Sequence, residues 1–296
     1  MAIFHLAVKV IGRGRGRNGR DQSAVASAAY RSGKPLKEHA TGAIKDYPRR
    51  APRVIWSAIF APADAPAWAS DREALWNRVE EKENRKNSAF CRELEFSLPA
   101  ELTGDQRVWL VTDFIRENFT RKGLIADIAI HAPDGHSDRR NFHCHAMVVE
   151  RPIVGGNFAK HKNRDLQKRE TLHQWRANWA SMANRALARH GHAARIDHRT
   201  LKVQGVLREP TTHAGHVATE IERRGGVSYR KGEVQAVKAR NALRLMRAAK
   251  VSRVVGAVLK TAPAPKSSPS VEAARLPEPT KVDQTDLWGV GIRSRP

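Results

Sequence analysis

Three histidines fall where two apolar segments of the sequence meet. The segment "IADIAIH" ends on His131, and the segment "NFHCHAMVV" carries His143 and His145 two residues apart near its start. Residues two apart on a strand point to the same side, so His143 and His145 would project together. A neutral imidazole offers a lone pair to a divalent cation, and three imidazoles leave coordination positions open for a substrate. The spacing therefore predicts a metal site made of His131, His143 and His145.

The sequence leaves alternatives to this site open. A pair of histidines two residues apart is more often an ordinary feature of a strand surface, and the third, facing histidine is what favours a metal. His136 competes with His131 as the third ligand, although it lies in a loop beside Gly135, where its position is poorly fixed. Asp127 lies four residues before His131 on the same side of the strand, and it is a candidate to orient a ligand from behind.

The charge of the chain indicates what such a site would act on. The 296 residues include 53 lysines and arginines against 30 acidic residues, a formal net charge of +23. This is far above the charge of about 2–8 that is typical of a small soluble domain. It favours a polyanionic partner, nucleic acid before an anionic membrane. The expected target is a phosphodiester, which a cation can polarise as a Lewis acid.

Tyr30 is the candidate nucleophile. The chain has three tyrosines, Tyr30, Tyr47 and Tyr229. Tyr30 lies in "SAVASAAYRSG", a predicted short helix that is capped by Ser23 and stopped by Gly33, and whose alanines offer the ring little to pack against. A phenol with a pKa near 10 is only about one part in a thousand ionised at pH 7, but nearby cations favour the anion. A phenolate can attack phosphorus and hold the DNA end as an ester. The alternative is an ordinary helix aromatic.

A loop rich in glycine and arginine, "GRGRGRNGRDQ", precedes this helix. Guanidinium groups are planar, permanently charged and suited to phosphate, so the loop is expected to hold a nucleic-acid backbone. The alternative is a disordered basic arm. The predicted DNA-binding residues are Arg13, Arg15, Arg17, Arg20 and, on the helix itself, Arg31.

Alternating patterns predict the strands that would position these residues. They occur at "IFHLAVKVI", "VIWSAIFAP" and "CRELEFSLP", and at the two histidine-bearing segments. On the third strand Leu94 and Phe96 face one side. Glu93 and Glu95 face the other. The polar loop between the histidine-bearing segments contains Asp134-Gly135, which predicts an antiparallel hairpin.

Capping residues and helical spacing predict the helices. A capping box at Ser70–Glu73 opens a helix that runs to about Lys86, and a second at Thr103–Gln106 opens one that closes at Gly123.

Two further helices are predicted towards the C-terminus. The first, in "TLHQWRANWASMANRALARHG", ends at Gly191, and its Trp175 and Trp179 are expected in the core rather than as platforms for bases. The second is a basic helix over residues 233–260. The order of elements predicts an α+β fold, an antiparallel sheet with helices on one side.

The cysteines and the termini bear on the compartment. Cys91 and Cys144 are too few for a disulfide framework, which favours a reducing, cytoplasmic location. The N-terminus is apolar first and basic afterwards, the reverse of a secretory signal. No apolar run approaches the roughly 20 residues that span a bilayer, so no membrane insertion is expected.

Several segments together resemble the MobA/MobL family of plasmid mobilisation relaxases, which belong to the wider HUH endonuclease group. The segments are "MAIFHLAVKVIGR…SAVASAAYRSG", "LWNRVEEKENRKNSAFCRELEFSLP", "IADIAIHAPDG…RNFHCHAMV", "IDHRTL" and "EPTTHAGHVATEIERRGG", in the family's order. The resemblance implies a central antiparallel sheet with helices packed around it. It also implies a metal-dependent enzyme that nicks single-stranded DNA at a transfer origin, keeps a 5′-phosphotyrosine and leaves a free 3′-hydroxyl.

Carried over by position, the resemblance implies roles for particular residues. The nucleophile falls on Tyr30, and the metal-binding histidine triad is the one already named. The acidic pair falls on Glu93 and Glu95, of which Glu95 is favoured as a catalytic support near the site. Phe142 stands where the family more often has proline, and this change touches no ligand.

The resemblance also implies a cofactor and partners. The cofactor is a divalent metal, with Mn²⁺ or Mg²⁺ favoured by availability, although three nitrogen ligands suit transition metals better than Mg²⁺. The expected partner is single-stranded DNA at a transfer origin, and auxiliary mobilisation proteins and a coupling ATPase are candidate protein partners.

Two rival functions stay open. A rolling-circle replication initiator or a single-strand transposase shares the chemistry, but such enzymes commonly place the tyrosine after the histidine pair, whereas Tyr30 precedes it. A non-enzymatic DNA-binding protein with a structural metal would usually have four ligands, and only three are identified.

Three regions are predicted. Residues 1–226 form the relaxase domain, residues 227–260 a basic helical extension, and residues 261–296 a tail rich in proline and serine that is expected to be disordered.

Overall fold

The computed structural model describes residues 2–14, 22–133, 138–212 and 214–261. Arg15, Arg17, Arg20, His136 and nearly all of the predicted tail lie outside these residues. The strands in the described part are β1 Leu6–Gly12, β2 Leu36–Lys37, β3 Ile44–Lys45, β4 Val54–Phe60, β5 Ala89–Ser97, β6 Ala126–His131, β7 His143–Val149, β8 Ile153–Val154 and β9 Asn157–Phe158. The α-helices there are α1 Ala24–Ser32, α2 Arg72–Lys82, α3 Gly104–Asn118, α4 Arg169–Arg189, α5 Gly215–Arg223 and α6 Tyr229–Thr261.

Five strands form the central sheet, in the order β1-β5-β7-β6-β4, and every neighbouring pair is antiparallel. The predicted hairpin of β6 and β7 is confirmed, and it lies inside the sheet with β5 and β4 on its two sides. The remaining strands form two small hairpins, β2 with β3 and β8 with β9. The predicted α+β class with a central antiparallel sheet is therefore confirmed.

Helices cover both faces of the sheet, so the prediction of helices on one side is wrong. On one face α3 and α4 pack on Leu94, Phe96 and their neighbours, with Trp175 and Trp179 buried in this core as predicted. On the other face α1 and α2 pack on Cys91 and on neighbouring apolar side chains of the sheet. All six residues of β6 are buried, because a strand in the middle of a two-sided sheet has no face open to water.

The predicted caps of α1 and α3 are confirmed. Ser23 accepts a hydrogen bond from the backbone of Ala26, and Gly33 ends α1 in the left-handed conformation. Thr103 and Gln106 form the reciprocal capping box of α3. The α-helix ends at Asn118, and a short 3₁₀ turn follows it. Gly123, the predicted end of the helix, comes directly after that turn.

The predicted limits of α2 are both wrong. The cap is Asp71 rather than Ser70, since the Asp71 carboxylate accepts from the Ala74 amide and Ser70 lies in the preceding 3₁₀ turn. The helix ends at Lys82 rather than near Lys86. Arg13 donates to the carbonyls at the observed end, as described below.

The chain divides into two compact units between Val206 and Leu207. In the second unit α5 packs with α6, and the Glu209 carboxylate pairs with Arg240 and Arg244. The division lies before the predicted boundary at residue 226, because α5 belongs with α6. Of the helices that the structure describes, none has both the length and the apolar character needed to cross a bilayer.

Candidate active site

The three predicted histidines converge at one end of the central sheet. His131, the last residue of β6, is paired directly with His143, the first residue of β7, and His145 follows two residues later on the same face. The ring centroids of His131 and His143 are 5.4 Å apart, those of His131 and His145 4.8 Å, and those of His143 and His145 5.2 Å. One nitrogen from each ring lies within 4.8 Å of the others. The predicted convergence is confirmed.

Each ring is also held by a hydrogen bond through its other nitrogen. His131 Nε2 lies 2.7 Å from the carbonyl of Arg31, and His143 Nδ1 lies 3.0 Å from the carbonyl of Asn141. His145 Nδ1 lies 2.7 Å from Glu93 Oε1. Because these oxygens can only accept, each named nitrogen carries the proton and the opposite nitrogen keeps its lone pair. Three oriented lone pairs with hydrogen-bonded partners behind them are the donor set that a divalent metal requires.

Burial keeps the rings of His131 and His143 neutral, as metal ligands must be. His131 is 5% exposed, and burial lowers its pKa to about 4 despite the hydrogen bond to Arg31. Burial likewise lowers the pKa of His143. Both imidazoles are therefore free of a competing proton at neutral pH.

Glu93 is the carboxylate that organises the site. Its side chain is fully buried and accepts from Arg31 Nε at 2.6 Å and from Arg31 Nη2 at 2.5 Å, in addition to His145. Lys9 Nζ lies 3.2 Å away. Burial alone would raise the pKa of Glu93, but the hydrogen bonds from His145 and Arg31 outweigh it and hold the pKa well below its usual range.

Glu95, the favoured member of the acidic pair, has weaker contacts. Its side chain is 37% exposed, and it forms an ion pair with Lys9, at 3.5 Å. Glu95 lies directly opposite His145 on the neighbouring strand, but the His145 ring donates its hydrogen bond to Glu93, which lies diagonally across. The contacts thus place Glu93, rather than Glu95, behind the histidines.

Arg31, a predicted DNA-binding residue, makes its contacts within the protein. Its side chain is only 14% exposed, and its guanidinium binds Glu93 and the carbonyl of Ser27. Its backbone carbonyl accepts from His131. Arg31 therefore joins α1 directly to His131 and, through Glu93, to His145. Its contact with DNA phosphate stays a prediction.

Tyr30 precedes Arg31 in the last turn of α1 and is half-buried. Its ring meets that of Tyr47 edge to face, with centroids 5.3 Å apart and planes at 82°. The guanidinium carbon of Arg50 lies 4.4 Å from the Tyr30 centroid. The residue that follows Tyr30, Arg31, bonds His131 through its backbone carbonyl, so the backbone at the end of α1 lies next to the histidine cluster. Sequence analysis did not find the contact with Arg50, for which the run "PRR" was the only signal.

Arg13 also has an internal partner. It donates to the carbonyls of Glu80, at 2.8 Å, and Glu83, at 3.1 Å, and so caps the C-terminus of α2. The Glu80 carboxylate in turn accepts from Ser23 Oγ and from the amides of Ala24 and Val25, the first residues of α1. Arg13 is exposed while it makes this cap, and its predicted contact with phosphate stays a prediction.

Asp127 does not orient a histidine. Its carboxylate accepts from Arg72 in a two-pronged ion pair, with distances of 2.8–3.0 Å, and from Trp76 Nε1 at 2.8 Å. These contacts join α2 to the sheet, four residues away from His131. The two-residue alternation puts Asp127 on the same face of β6 as His131. It does not show that α2 covers that part of the face and binds Asp127.

Comparisons with known proteins agree with this architecture. The chain matches the MobA/MobL family over residues 22–224. It is 36% identical over 267 residues to the mobilization protein MobL of Acidithiobacillus ferridurans, which covers 78% of this chain and 66% of the relative. It is 33% identical over 254 residues to the conjugal transfer protein TraA of Rhizobium radiobacter, covering 76% of this chain and 22% of the relative.

A solved structure also resembles the chain. It is described as "Molecular Basis of Vancomycin Resistance Transfer in Staphylococcus aureus" and superposes with a TM-score of 0.60 at 29% identity. The match covers 67% of this chain and all of the other. The chain therefore spans less than two thirds of the length of the two relatives above, but the whole of the matched structure.

Proposed function

The chain belongs to the MobA/MobL family, and from that premise we propose that it is a relaxase. In this role it nicks single-stranded DNA at a plasmid transfer origin, through Tyr30, and so begins plasmid mobilisation. One observation carries the proposal: the 2.7 Å hydrogen bond from His131 to the carbonyl of Arg31 links the histidine cluster to the residue next to the tyrosine. The names of the relatives, a mobilization protein and a conjugal transfer protein, support the biological setting.

The proposed reaction is a transesterification. The Tyr30 oxygen, without its proton, attacks the phosphorus, and a new bond forms between that oxygen and phosphorus. The bond from phosphorus to the 3′-oxygen breaks, and the 3′-oxygen takes up a proton to become a hydroxyl. One ester replaces another, so the energy of the phosphodiester is conserved and the free 3′-hydroxyl can reverse the step.

The histidine cluster is the proposed metal site. His131 Nδ1, His143 Nε2 and His145 Nε2 are the nitrogens left with lone pairs, and they would hold a divalent cation, Mn²⁺ or Mg²⁺. When bound, the cation supplies Lewis-acid polarisation of the phosphodiester.

The protein's own contacts prepare the site before DNA arrives. Glu93 fixes the orientation of His145, and Arg31 balances the buried negative charge of Glu93. Because Arg31 also bonds His131, the helix that carries Tyr30 is joined directly to β6 and, through Glu93, to His145 of β7. Such preorganisation lowers the cost of bringing the reacting oxygen to the phosphorus.

The test uses labelled single-stranded DNA that contains the transfer origin of the plasmid encoding this chain. The protein is incubated with this DNA and Mn²⁺, denatured and separated on a gel. We expect a covalent adduct that Tyr30→Phe abolishes while DNA binding is retained. Tyr229→Phe is the matched control, because Tyr229 is 81% exposed and lies in the second unit. An undiminished adduct in Tyr30→Phe would overturn the proposal.

The same proposal sets the cellular context. We place the protein in the cytoplasm, where its partner is single-stranded origin DNA. Auxiliary mobilisation proteins and a coupling ATPase are its proposed protein partners, as the resemblance to the family implies.

A further inference from the structure

The Tyr30 ring is enclosed by a short segment that follows β3. The amide of Arg50 donates to the carbonyl of Tyr47 at 2.8 Å, which closes a four-residue turn with Pro48 at its second position. This turn brings both side chains to the Tyr30 ring, with Tyr47 at its edge and Arg50 over its face. The ring is therefore restrained on two sides by residues that are only three apart in sequence.

The turn is itself fixed to the site at two points. Gly33, the residue that ends α1, has φ +65°, and a Cβ placed there would lie 2.7 Å from the Cα of Ala51. The backbones of α1 and of the turn segment thus approach as closely as a glycine permits. On the other side, the amide of Ala132 donates to the carbonyl of Arg53 at 2.8 Å. Because Ala132 follows His131, the segment carrying Arg50 bridges the nucleophile helix and the histidine cluster.

We propose that Arg50 is a positioning residue for Tyr30: the guanidinium of Arg50, together with the ring of Tyr47, holds the phenol ring of Tyr30 in one orientation for attack. This inference rests on the proposed function, in which Tyr30 is the nucleophile. A cation over an aromatic face attracts the π electrons of the ring, and the attraction increases when the site is shielded from water.

A contact with DNA phosphate is the competing role for an arginine in this place, and the two roles differ in what they change. A phosphate contact contributes to affinity and adds about 0.7 to the log–log salt slope for a single strand. A positioning contact acts on the nucleophile and changes the rate once DNA is bound. Arg49 is the matched control, since it is the adjacent arginine and is exposed to solvent.

The experiment measures full-length protein with Mn²⁺ and labelled single-stranded origin DNA. Affinity is measured at several salt concentrations, and the rate of adduct formation at saturating DNA in a single turnover. We expect Arg50→Gln to lower this rate about tenfold, with affinity, salt slope and melting temperature unchanged. Arg50→Lys, which keeps the charge without the planar group, should recover part of the rate. Arg49→Gln should retain the wild-type rate.

Three results separate the possible failures. If Arg50→Gln weakens affinity and flattens the salt slope while the saturated rate stays the same, Arg50 contacts phosphate and the inference is overturned. If Arg49→Gln loses as much rate as Arg50→Gln, the effect is one of overall charge and the inference is again overturned. If the adduct persists in Tyr30→Phe, the proposed function fails first, and the role of Arg50 fails with it.

Discussion

Replacing Glu93 with glutamine tests whether this residue organises the site. Glu93 accepts from three donors, Arg31 Nε, Arg31 Nη2 and His145 Nδ1, all within 2.7 Å. Glutamine has nearly the same shape but no charge, and its NH₂ group would face one of these donors. Arg31 cannot give up its proton and its side chain is 14% exposed, so its charge would remain buried without a counter-charge.

The expected loss of stability follows from these contacts. Removing one partner of a buried ion pair costs about 3–5 kcal/mol, and the remaining amide oxygen favours the lower value, about 3 kcal/mol. For a unit of about 200 residues each kcal/mol lowers Tm by about 2–4 °C, so Glu93→Gln should melt about 6–12 °C below wild type. His145 also loses the carboxylate that sets its tautomer, which should weaken metal binding about 10- to 100-fold.

Two measurements check these values: thermal melting by circular dichroism with a chelator present, and calorimetric titration of the protein with Mn²⁺. Glu95→Gln is the matched control, because Glu95 is 37% exposed and forms an ion pair with Lys9. A pair of that kind contributes at most about 1 kcal/mol. If Glu93→Gln melts and binds Mn²⁺ like wild type, or if Glu95→Gln loses more, then Glu93 does not organise the histidines and the reasoning is refuted.

Other contacts predict further outcomes. The pKa of His131 is about 4 in the folded protein against 6.5 for an unperturbed ring, so between these values the unfolded chain binds more protons. Urea unfolding with a chelator should therefore show stability falling as the pH is lowered from 6.5 to 4, and His131→Asn should show a smaller fall. Gly33→Ala places a Cβ in the left-handed region and against Ala51, which should cost about 2 kcal/mol or more in chemical denaturation, whereas Gly42→Ala, at φ +70° in open space, should cost less. Arg13→Gln should lower stability by about 1 kcal/mol through the lost cap of α2, and an unchanged melting curve with a flatter salt slope for DNA binding would contradict that assignment.

The histidine cluster could be predicted from the sequence because it depends on local rules. The two-residue period put His143 and His145 on one face, and the polar loop implied the hairpin that brings His131 opposite. The caps at Ser23 and Thr103 were predictable for the same reason, since each involves residues within one helical turn.

The errors concern contacts between distant parts of the chain. Alternation put Glu93 and Glu95 on one face, but the choice between them depends on Arg31, which is brought there by the packing of α1 on the sheet. Likewise, no local pattern separates an arginine that binds phosphate from Arg13, which caps a helix about 70 residues later in the chain.

The sequence of β6 contains a signal that helices cover both faces of the sheet. The segment "ADIAIH" carries apolar residues at positions of both parities, and a strand that is apolar on both sides needs a cover on both sides. Its two polar residues, Asp127 and His131, are the exceptions, and both are buried, Asp127 with Arg72 and His131 with the carbonyl of Arg31 as a partner.

The Glu80 carboxylate has a consequence for the direction from which DNA can approach. A helix N-terminus attracts anions, because its free amides and its dipole present positive charge. In α1 the amides of Ala24 and Val25 already donate to the Glu80 carboxylate. A phosphate at this end would therefore meet a carboxylate and amides that are already hydrogen-bonded. If the proposed function is correct, a DNA strand would therefore meet α1 at its opposite end, where Tyr30 lies.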